Sequence, residues 1–252
     1  MNPPALQTVS LSKSFDTAFG RLEAVAHINL VVEPGEFVCI VGPSGCGKST
    51  LLQLMGGLLA PTSGEVLLTG RPLLKPPPDI SIVFQKPNLM PWRTVINNVL
   101  LPAEIQAIPA EEAKKRASQA LALVKLTDFA RAYPKALSRG MEQRVALARA
   151  LMQDPSILLL DEPFGSLDAL TRERLNKEIL SLWQKRNLTA VMVTHDIREA
   201  VYLADRVVVL SPRPAVIYEE FLIDLPRSRP EGIEYSEHFG ALAYEIRQAI
   251  RE

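Results

Sequence analysis

Short apolar runs recur along the chain, each bounded by polar or turn-forming residues. Five such runs occupy residues 36–41, 80–84, 155–160, 190–194 and 207–210. Runs of this length without polar alternation are typical of strands buried on both faces of a parallel sheet. Apolar stripes at helical spacing separate several of them. Strands that alternate with helices predict an α/β fold with a wound, mainly parallel sheet.

A different pattern precedes the first buried run. Residues 6–11 and 27–32 alternate apolar and polar side chains, which predicts two antiparallel strands. Residues 14–20 would form the loop between them and would carry Phe15 and Phe19. An aromatic ring on such a loop offers a face on which a nucleotide base can stack, and Phe15 is the preferred candidate. The alternative is that the ring anchors the loop in the core.

The stretch from residue 94 to residue 126 has the spacing of helices. Thr94 is a candidate N-cap, and Pro102 and Pro109 are expected to interrupt the helical run. Four apolar positions should face a small core of helices rather than a ligand: Ala113, Ala117, Leu121 and Val124. Residues 171–186 predict a further amphipathic helix. Its inward positions would be Leu175, Ile179, Leu182 and Trp183.

Composition narrows the class of protein. Among 252 residues, 28 are Lys or Arg and 28 are Asp or Glu, so the formal net charge is zero. A polybasic binder of nucleic acid or lipid is therefore not expected. No apolar run approaches the roughly 18–20 residues that span a bilayer, and the first residues lack a signal-peptide pattern. We expect a cytoplasmic protein in which Cys39 and Cys46 are unpaired.

The most specific motif follows the first buried run. Residues 42–50, GPSGCGKST, match G-x-x-x-x-G-K-[ST] in full, between a predicted strand and a predicted helix. In that context a glycine-rich backbone and a helix N-terminus together cradle phosphate. Lys48 would reach the β- and γ-phosphates of a nucleoside triphosphate, and the Ser49 hydroxyl would ligate Mg²⁺. The expected nucleotide contacts are Gly42, Pro43, Ser44, Gly45, Cys46, Gly47, Lys48, Ser49 and Thr50.

Polar side chains follow other predicted strands. Asp161 and Glu162 come directly after an aliphatic run. They are therefore expected at the carboxyl end of a strand, where parallel sheets bind ligands. Gln85 follows an earlier strand, and His195 follows a later one.

In this order the motifs resemble those of the ATP-binding-cassette (ABC) ATPase family, and the resemblance covers nearly the whole chain. Residues 42–50 resemble the Walker A loop, and residues 157–161 resemble Walker B. Residues 138–141, Ser-Arg-Gly-Met, resemble the signature sequence, and residues 166–168, Ser-Leu-Asp, resemble the D-loop. Gln85 and His195 stand in the places of the Q-loop glutamine and the switch histidine, and Glu162 stands in that of the catalytic glutamate.

The resemblance implies a role for each matching residue. Lys48 would neutralise phosphate charge, together with Mg²⁺ held by Ser49, Gln85 and, through water, Asp161. Glu162 would act as the general base towards water, with His195 bridging to the γ-phosphate. The resemblance also implies that ATP is shared by two copies of the chain. The residues assigned to that nucleotide beyond the Walker A loop are Phe15, Ser138, Gly140 and Asp168.

One position departs from the family pattern. The signature usually has two adjacent glycines after its serine, whereas this chain has Arg139 followed by Gly140. Arg139 is either a solvated side chain or an additional contact to the nucleotide of the second copy. The departure affects the detailed geometry and leaves the family resemblance intact.

The resemblance implies one ABC ATPase domain over residues 1–252. Within it we expect a helical subdomain at about residues 87–152 and a carboxyl-terminal extension at about residues 211–252. The extension would add strands at residues 216–219 and 221–225 and a final helix that ends at Ile250. Some 42 residues follow Leu210, so we do not expect the β-barrel regulatory domain of sugar-importer ATPases.

Three functions compete. The first is the peripheral ATPase of a bacterial importer, at the cytoplasmic face of the inner membrane. Its partners would be a second copy of the chain, transmembrane permease subunits and, indirectly, a solute-binding protein. The second is a soluble ABC ATPase that is not engaged in transport. The third, a small-molecule kinase or regulatory nucleotide-binding module, leaves the signature, Gln85 and His195 unexplained.

Within importers, the chain resembles the nitrate, sulfonate and taurine group. The resemblance lies in residues 35–37, 61–64, 84–92, 163–172 and 210–214. Residues 86–94 form an irregular apolar segment after Gln85, with Leu89, Met90 and Trp92 on it. These side chains either line a groove for a membrane partner or belong to the core.

Overall fold

The computed structural model describes residues 3–18, 20–165 and 167–250. The chain divides into two compact units. The first unit consists of residues 1–77 and 187–252, and the second consists of residues 78–186. The predicted subdomain boundaries remain a prediction.

The amino-terminal part of the first unit is an antiparallel sheet followed by the phosphate loop. Strand β1 pairs with β2 and β4, and β4 pairs with β5. The elements are β1 (Leu6–Thr17), β2 (Gly20–Val32), β3 (Phe37–Val41), α1 (Lys48–Met55), β4 (Ser63–Leu68) and β5 (Arg71–Pro72). Strand β3 is buried at every position, as its apolar run predicted.

The expectation of a loop at residues 14–20 was wrong. Strands β1 and β2 continue towards each other, and their ladder still pairs Phe15 with Leu22 and Thr17 with Gly20. Alternation of apolar and polar residues fades in this stretch because both of its faces are largely solvated. Backbone pairing across the hairpin therefore outlasts the side-chain pattern.

In its described residues, the second unit combines two parallel strands with four α-helices. Strand β6 runs parallel to β7, with Ile80 opposite Ile157 and Val83 opposite Leu160. The elements are β6 (Ile80–Val83), α2 (Val95–Ile105), α3 (Ala110–Leu123), α4 (Arg139–Leu151), β7 (Ile157–Asp161) and α5 (Ala169–Arg186). The inward positions predicted for α3 and α5 are buried, which confirms the helical core.

One helix boundary differs from the prediction. Helix α2 runs through Pro102 instead of ending before it. Pro102 lies in the second half of this 11-residue helix, where the proline ring removes one backbone hydrogen bond without removing the buried face. Pro109 does lie between helices, immediately before α3.

The carboxyl-terminal part of the first unit completes a mainly parallel sheet. Strand β3 lies between β8 and β9, parallel to both, and β10 adds antiparallel to β9. The elements are β8 (Thr189–Val193), α6 (Ile197–Leu203), β9 (Arg206–Leu210), β10 (Ile217–Leu222) and α7 (Glu237–Ala249).

The two short strands expected in the extension form one strand. Strand β10 covers Ile217–Leu222 without a turn, with one irregularity in its pairing between residues 217 and 219. No Gly, Pro, Asn or Asp interrupts it, so nothing in the sequence forces a reversal at residue 220. The final helix ends next to Ile250, as predicted.

Candidate functional site

The phosphate loop of the first unit adopts a backbone that requires glycine. Gly45 and Gly47 have φ of +74° and +129°. A Cβ built on Gly47 would lie 2.6 Å from the carbonyl oxygen of Ala24, and one on Gly42 would lie 2.9 Å from that of Leu210. Real Cβ contacts are not that short, so a side chain at either position would displace the loop.

The loop presents groups that suit a phosphate. Helix α1 begins at Lys48 without a side-chain cap, which leaves its first turn for an external acceptor. The Lys48 ammonium donates to the carbonyl oxygens of Gly42 and Pro43, each at 2.9 Å, so it lies over the loop. Phosphate oxygens are stronger acceptors for an ammonium than these carbonyls.

A magnesium ion also fits these residues. Ser49 is exposed at the start of α1, and a serine hydroxyl at this position of a phosphate loop is a suitable magnesium ligand. The described residues contain no cluster of three His, Cys, Asp or Glu side chains that would form an all-protein metal cage. Mg²⁺ in phosphate sites ordinarily takes one or two protein ligands and completes its shell with phosphate oxygens and water.

The aromatic candidate and the two cysteines lie in the same unit. Phe15 is half-buried in β1, and the Lys13 ammonium lies 5.2 Å from the centre of its ring. Phe19 lies outside the described residues. Cys39 and Cys46 are free and buried, as expected. Burial, followed by the charges of Glu199 and Asp205, raises the pKa of the Cys39 thiol, so the thiol stays protonated and unreactive.

His195 projects from a turn that is closed by hydrogen bonds. The Thr194 hydroxyl donates to Glu199 Oε2 at 2.5 Å and accepts from the Asp196 amide at 3.0 Å. The Glu199 amide donates to Asp196 Oδ1 at 3.1 Å, which caps α6. Three bonds among three residues thus fix the backbone on both sides of the exposed His195. We call the hydrogen-bonded turn formed by Thr194, Asp196 and Glu199 the His195 turn.

In the second unit, parallel strands bring two candidates together. Gln85 follows β6 and Glu162 follows β7, and the carboxyl ends of paired parallel strands share one edge. Gln85 Nε2 donates to Glu162 Oε2 at 3.2 Å. Asp161 is buried at the end of β7, as predicted. Glu162 has φ of +42°. For a non-glycine residue this left-handed conformation costs about 1–2 kcal/mol of free energy, and such residues are frequent at functional sites.

The signature segment begins α4. The Ser138 hydroxyl accepts from the Met141 amide at 3.3 Å and so caps the helix. A Cβ on Gly140 would lie 2.9 Å from Thr171 Cγ2 of α5, which gives this glycine a packing reason. Arg139 is exposed at the first position of α4, and the described parts of the chain give it no ion-pair partner.

Asp168 directly precedes α5, as Ser138 directly precedes α4. Its carboxylate accepts from the Thr171 amide at 3.0 Å. Hydrogen bonds from the Thr171 side chain, and then from the Thr171 backbone, lower the pKa of Asp168. Ser166, the first residue of the predicted D-loop, lies outside the described residues.

The apolar segment after Gln85 is held open at the surface. Trp92 is 72% exposed, which contradicts the interpretation that it is a core residue. Leu89 and Met90 are half-buried. The buried amide side chain of Asn98 binds the segment through the Met90 amide at 2.7 Å and through the carbonyl of Arg93 at 3.1 Å.

Three contributors were not found from the sequence: Asn98, Glu199 and Arg213. Arg213 donates a hydrogen bond to the Gly45 carbonyl of the phosphate loop. Asn98 is a polar residue inside a helix, and Glu199 is an ordinary first-turn acid. Only Asn98 could have been found from the sequence, because it is a polar residue at a helix position that should be apolar.

The family model described as "ABC transporter" matches residues 25–165, more than half of the chain. The chain belongs to the ABC transporter family. It is an ATPase of that family, and the predicted ABC fold is confirmed.

Relatives in the ABC family are similar over most of their length. A nitrate import ATP-binding protein of Synechococcus elongatus is 44% identical over 229 residues, 89% of this chain and 84% of the relative. An aliphatic sulfonates import ATP-binding protein of Bacillus cereus is 41% identical over 230 residues, 90% of each chain.

A solved ABC structure is also similar. It is the dimeric structure of a post-hydrolysis state of an ATP-binding cassette bound to ADP and Pi. The TM-score is 0.78 at 34% identity, with 88% of this chain and 100% of that chain covered.

None of the helices in the described residues combines the length and the hydropathy of a membrane span.

Proposed function

We propose that this chain is the ATP-hydrolysing subunit of an importer for a small solute of the nitrate, sulfonate or taurine kind. Transport would take place through separate membrane subunits. The observation that carries the proposal is the similarity, over about nine-tenths of the chain, to a nitrate and a sulfonate import ATP-binding protein. Its place would be peripheral, at the cytoplasmic face of the inner membrane.

In the proposed mechanism the first unit binds the polyphosphate. The loop amides and Lys48 would bind the phosphates, and Ser49, Gln85 and, through water, Asp161 would hold the Mg²⁺ ion. The ion would supply charge neutralisation as negative charge develops on the leaving group. Phe15 stacks on the base. His195, held in place by the His195 turn, donates a hydrogen bond towards the γ-phosphate.

The second unit supplies the general base for hydrolysis. Glu162 accepts a proton from the attacking water, and its hydrogen bond from Gln85 orients the carboxylate for that task. Ser138 and Gly140 begin α4, and their amides suit an anion at the helix N-terminus. With Asp168, we assign them to the nucleotide of a second copy, so that ATP joins two subunits and hydrolysis releases them. The dimeric state of the solved cassette bound to ADP and Pi supports this arrangement.

The exposed segment around Trp92 supports a membrane partner. A large aromatic side chain at the surface, next to half-buried Leu89 and Met90, suits an apolar helix of a permease subunit. Because the segment begins beside Gln85, docking there would respond to the nucleotide state. A solute-binding protein would act on the far side of the permease.

Co-expression with permease subunits of a nitrate, sulfonate or taurine importer tests the proposal. We expect the chain to co-purify with them and to drive ATP-dependent uptake of nitrate, an aliphatic sulfonate or taurine into cells. The Glu162→Gln variant serves as the inactive control. An ATPase that binds no membrane subunit, and whose loss leaves all three uptakes intact, would instead support the soluble ABC ATPase.

A further inference from the structure

The end of β9 and the turn that follows it contact the phosphate loop. Leu210 packs against Gly42, because its carbonyl oxygen is 2.9 Å from the position of a Cβ built on that glycine. Ala215 lies in the same way against Gly47, with its Cβ 3.4 Å from the built Cβ. The first and last loop glycines therefore touch the two ends of residues 210–215.

Arg213 contacts the loop between these two points. Its Nη2 donates to the carbonyl oxygen of Gly45. Gly45 has φ of +74° and is exposed, so the Arg213 guanidinium contacts a solvent-accessible part of the loop. A guanidinium in this position adds positive charge beside groups that already favour an anion.

The turn that carries Arg213 is held by its own hydrogen bonds. The Ser211 hydroxyl accepts from the Val216 amide at 3.0 Å and lies 3.1 Å from the Pro214 carbonyl oxygen. Ala215 donates to the Ala24 carbonyl at 3.0 Å, which attaches the turn to β2. Arg213 is therefore presented from a fixed backbone, which lowers the entropy cost of using its side chain for binding.

The remaining donors of Arg213 are available. A guanidinium carries five N–H donors and is charged at all physiological pH values. One of its nitrogens contacts Gly45, and among the described residues no carboxylate forms an ion pair with Arg213. The contact with the Gly45 carbonyl uses one donor, so the other N–H groups of this exposed cation can donate to an anion bound by the loop.

We propose that Arg213 is a nucleotide-binding residue. It holds the Gly45 carbonyl with one N–H group and donates others to the polyphosphate of the bound nucleotide. The inference rests on the nucleotide-binding role given to the phosphate loop above, and it adds a second cation to Lys48. The ligand is the di- or triphosphate of a nucleotide in that loop.

Nucleotide affinity as a function of salt tests the inference. Fluorescent ADP is titrated into the full chain and into Arg213→Ala, Arg213→Lys and Lys48→Ala, at several NaCl concentrations. Arg71→Ala is the matched control, since Arg71 is also exposed in the first unit but lies on β5. Thermal unfolding of each variant separates loss of binding from loss of structure.

We expect Arg213→Ala to weaken ADP binding by about 10-fold at low salt, the usual effect of losing one charge-assisted hydrogen bond. Its affinity should also depend less on salt, because one fewer positive charge faces the phosphates. Arg213→Lys should recover the salt dependence and part of the affinity, and Arg71→Ala should match the unmodified chain.

Two results would overturn the inference. One is an Arg213→Ala variant whose affinity and salt dependence equal those of Arg71→Ala. The other is lower affinity and lower thermal stability with an unchanged salt dependence, which would show a brace that never meets the phosphates. If Lys48→Ala also binds ADP like the unmodified chain, the phosphate-loop assignment itself fails, and the inference fails with it.

Discussion

The side-chain amide of Gln85 donates a hydrogen bond to the carboxylate of Glu162, with 3.2 Å between Nε2 and Oε2. The two residues are 77 positions apart in the sequence and meet because β6 and β7 run parallel and end at one edge. The bond fixes one carboxylate oxygen of Glu162. A residue proposed to hold the Mg²⁺ ion thus touches the residue proposed to act as general base.

Glu162→Gln should lower ATP turnover by roughly 10²-fold or more while leaving ATP affinity unchanged, because it removes a general base without changing side-chain size. The glutamine can still accept the hydrogen bond from Gln85. We also expect the variant to accumulate as an ATP-bound dimer. Steady-state hydrolysis and light scattering measure the two effects, and near-normal turnover would remove Glu162 from the role.

Gln85→Glu should lower turnover further than Gln85→Ala does. The change places two carboxylates at the distance of the present hydrogen bond, and like charges that close repel each other. The repulsion should displace the Glu162 carboxylate from the position in which it accepts the proton of the attacking water. Gln85→Ala is the control, since it removes the bond without adding a charge. Equal steady-state turnover in both variants would contradict this account.

Glu199→Ala should lower turnover by about 10-fold with little change in ATP affinity. The change removes the hydrogen bond that Thr194 donates to Glu199 in the His195 turn, and so releases the backbone on either side of His195. Glu199→Gln should restore much of the rate, since its side-chain oxygen can still accept from Thr194. If both variants lost stability and nucleotide affinity to the same extent, Glu199 would be a core residue without a positioning role. Measuring kcat and KM separately decides between them.

The sequence predicted the phosphate loop, the strand that presents Asp161 and the turn that presents His195, because each depends on a local pattern of apolar residues and a short motif. It did not predict that Phe15 lies within a strand, because pairing of β1 with β2 there is a property of the backbone ladder. It also gave no sign of the Arg213 contact. That contact joins residues 168 positions apart and depends on the packing of a turn against the loop.

Trp92→Ala should abolish co-purification with membrane subunits, and with it transport, while ATP binding and thermal stability stay close to those of the unmodified chain. Truncating a buried aromatic anchor typically costs an interface about 2–4 kcal/mol. Trp92 is 72% exposed in the single chain, so little folding energy depends on it.

Asn98→Ala is the matched variant for the segment that carries Trp92. Its side chain is fully buried and binds the backbone at Met90, Arg93 and Thr94, so its loss should lower both thermal stability and partner binding. The contrast between the two variants separates a docking side chain from the clamp that presents it. If Trp92→Ala lost stability and nucleotide binding as Asn98→Ala does, or kept its membrane partner, the docking role of Trp92 would be wrong.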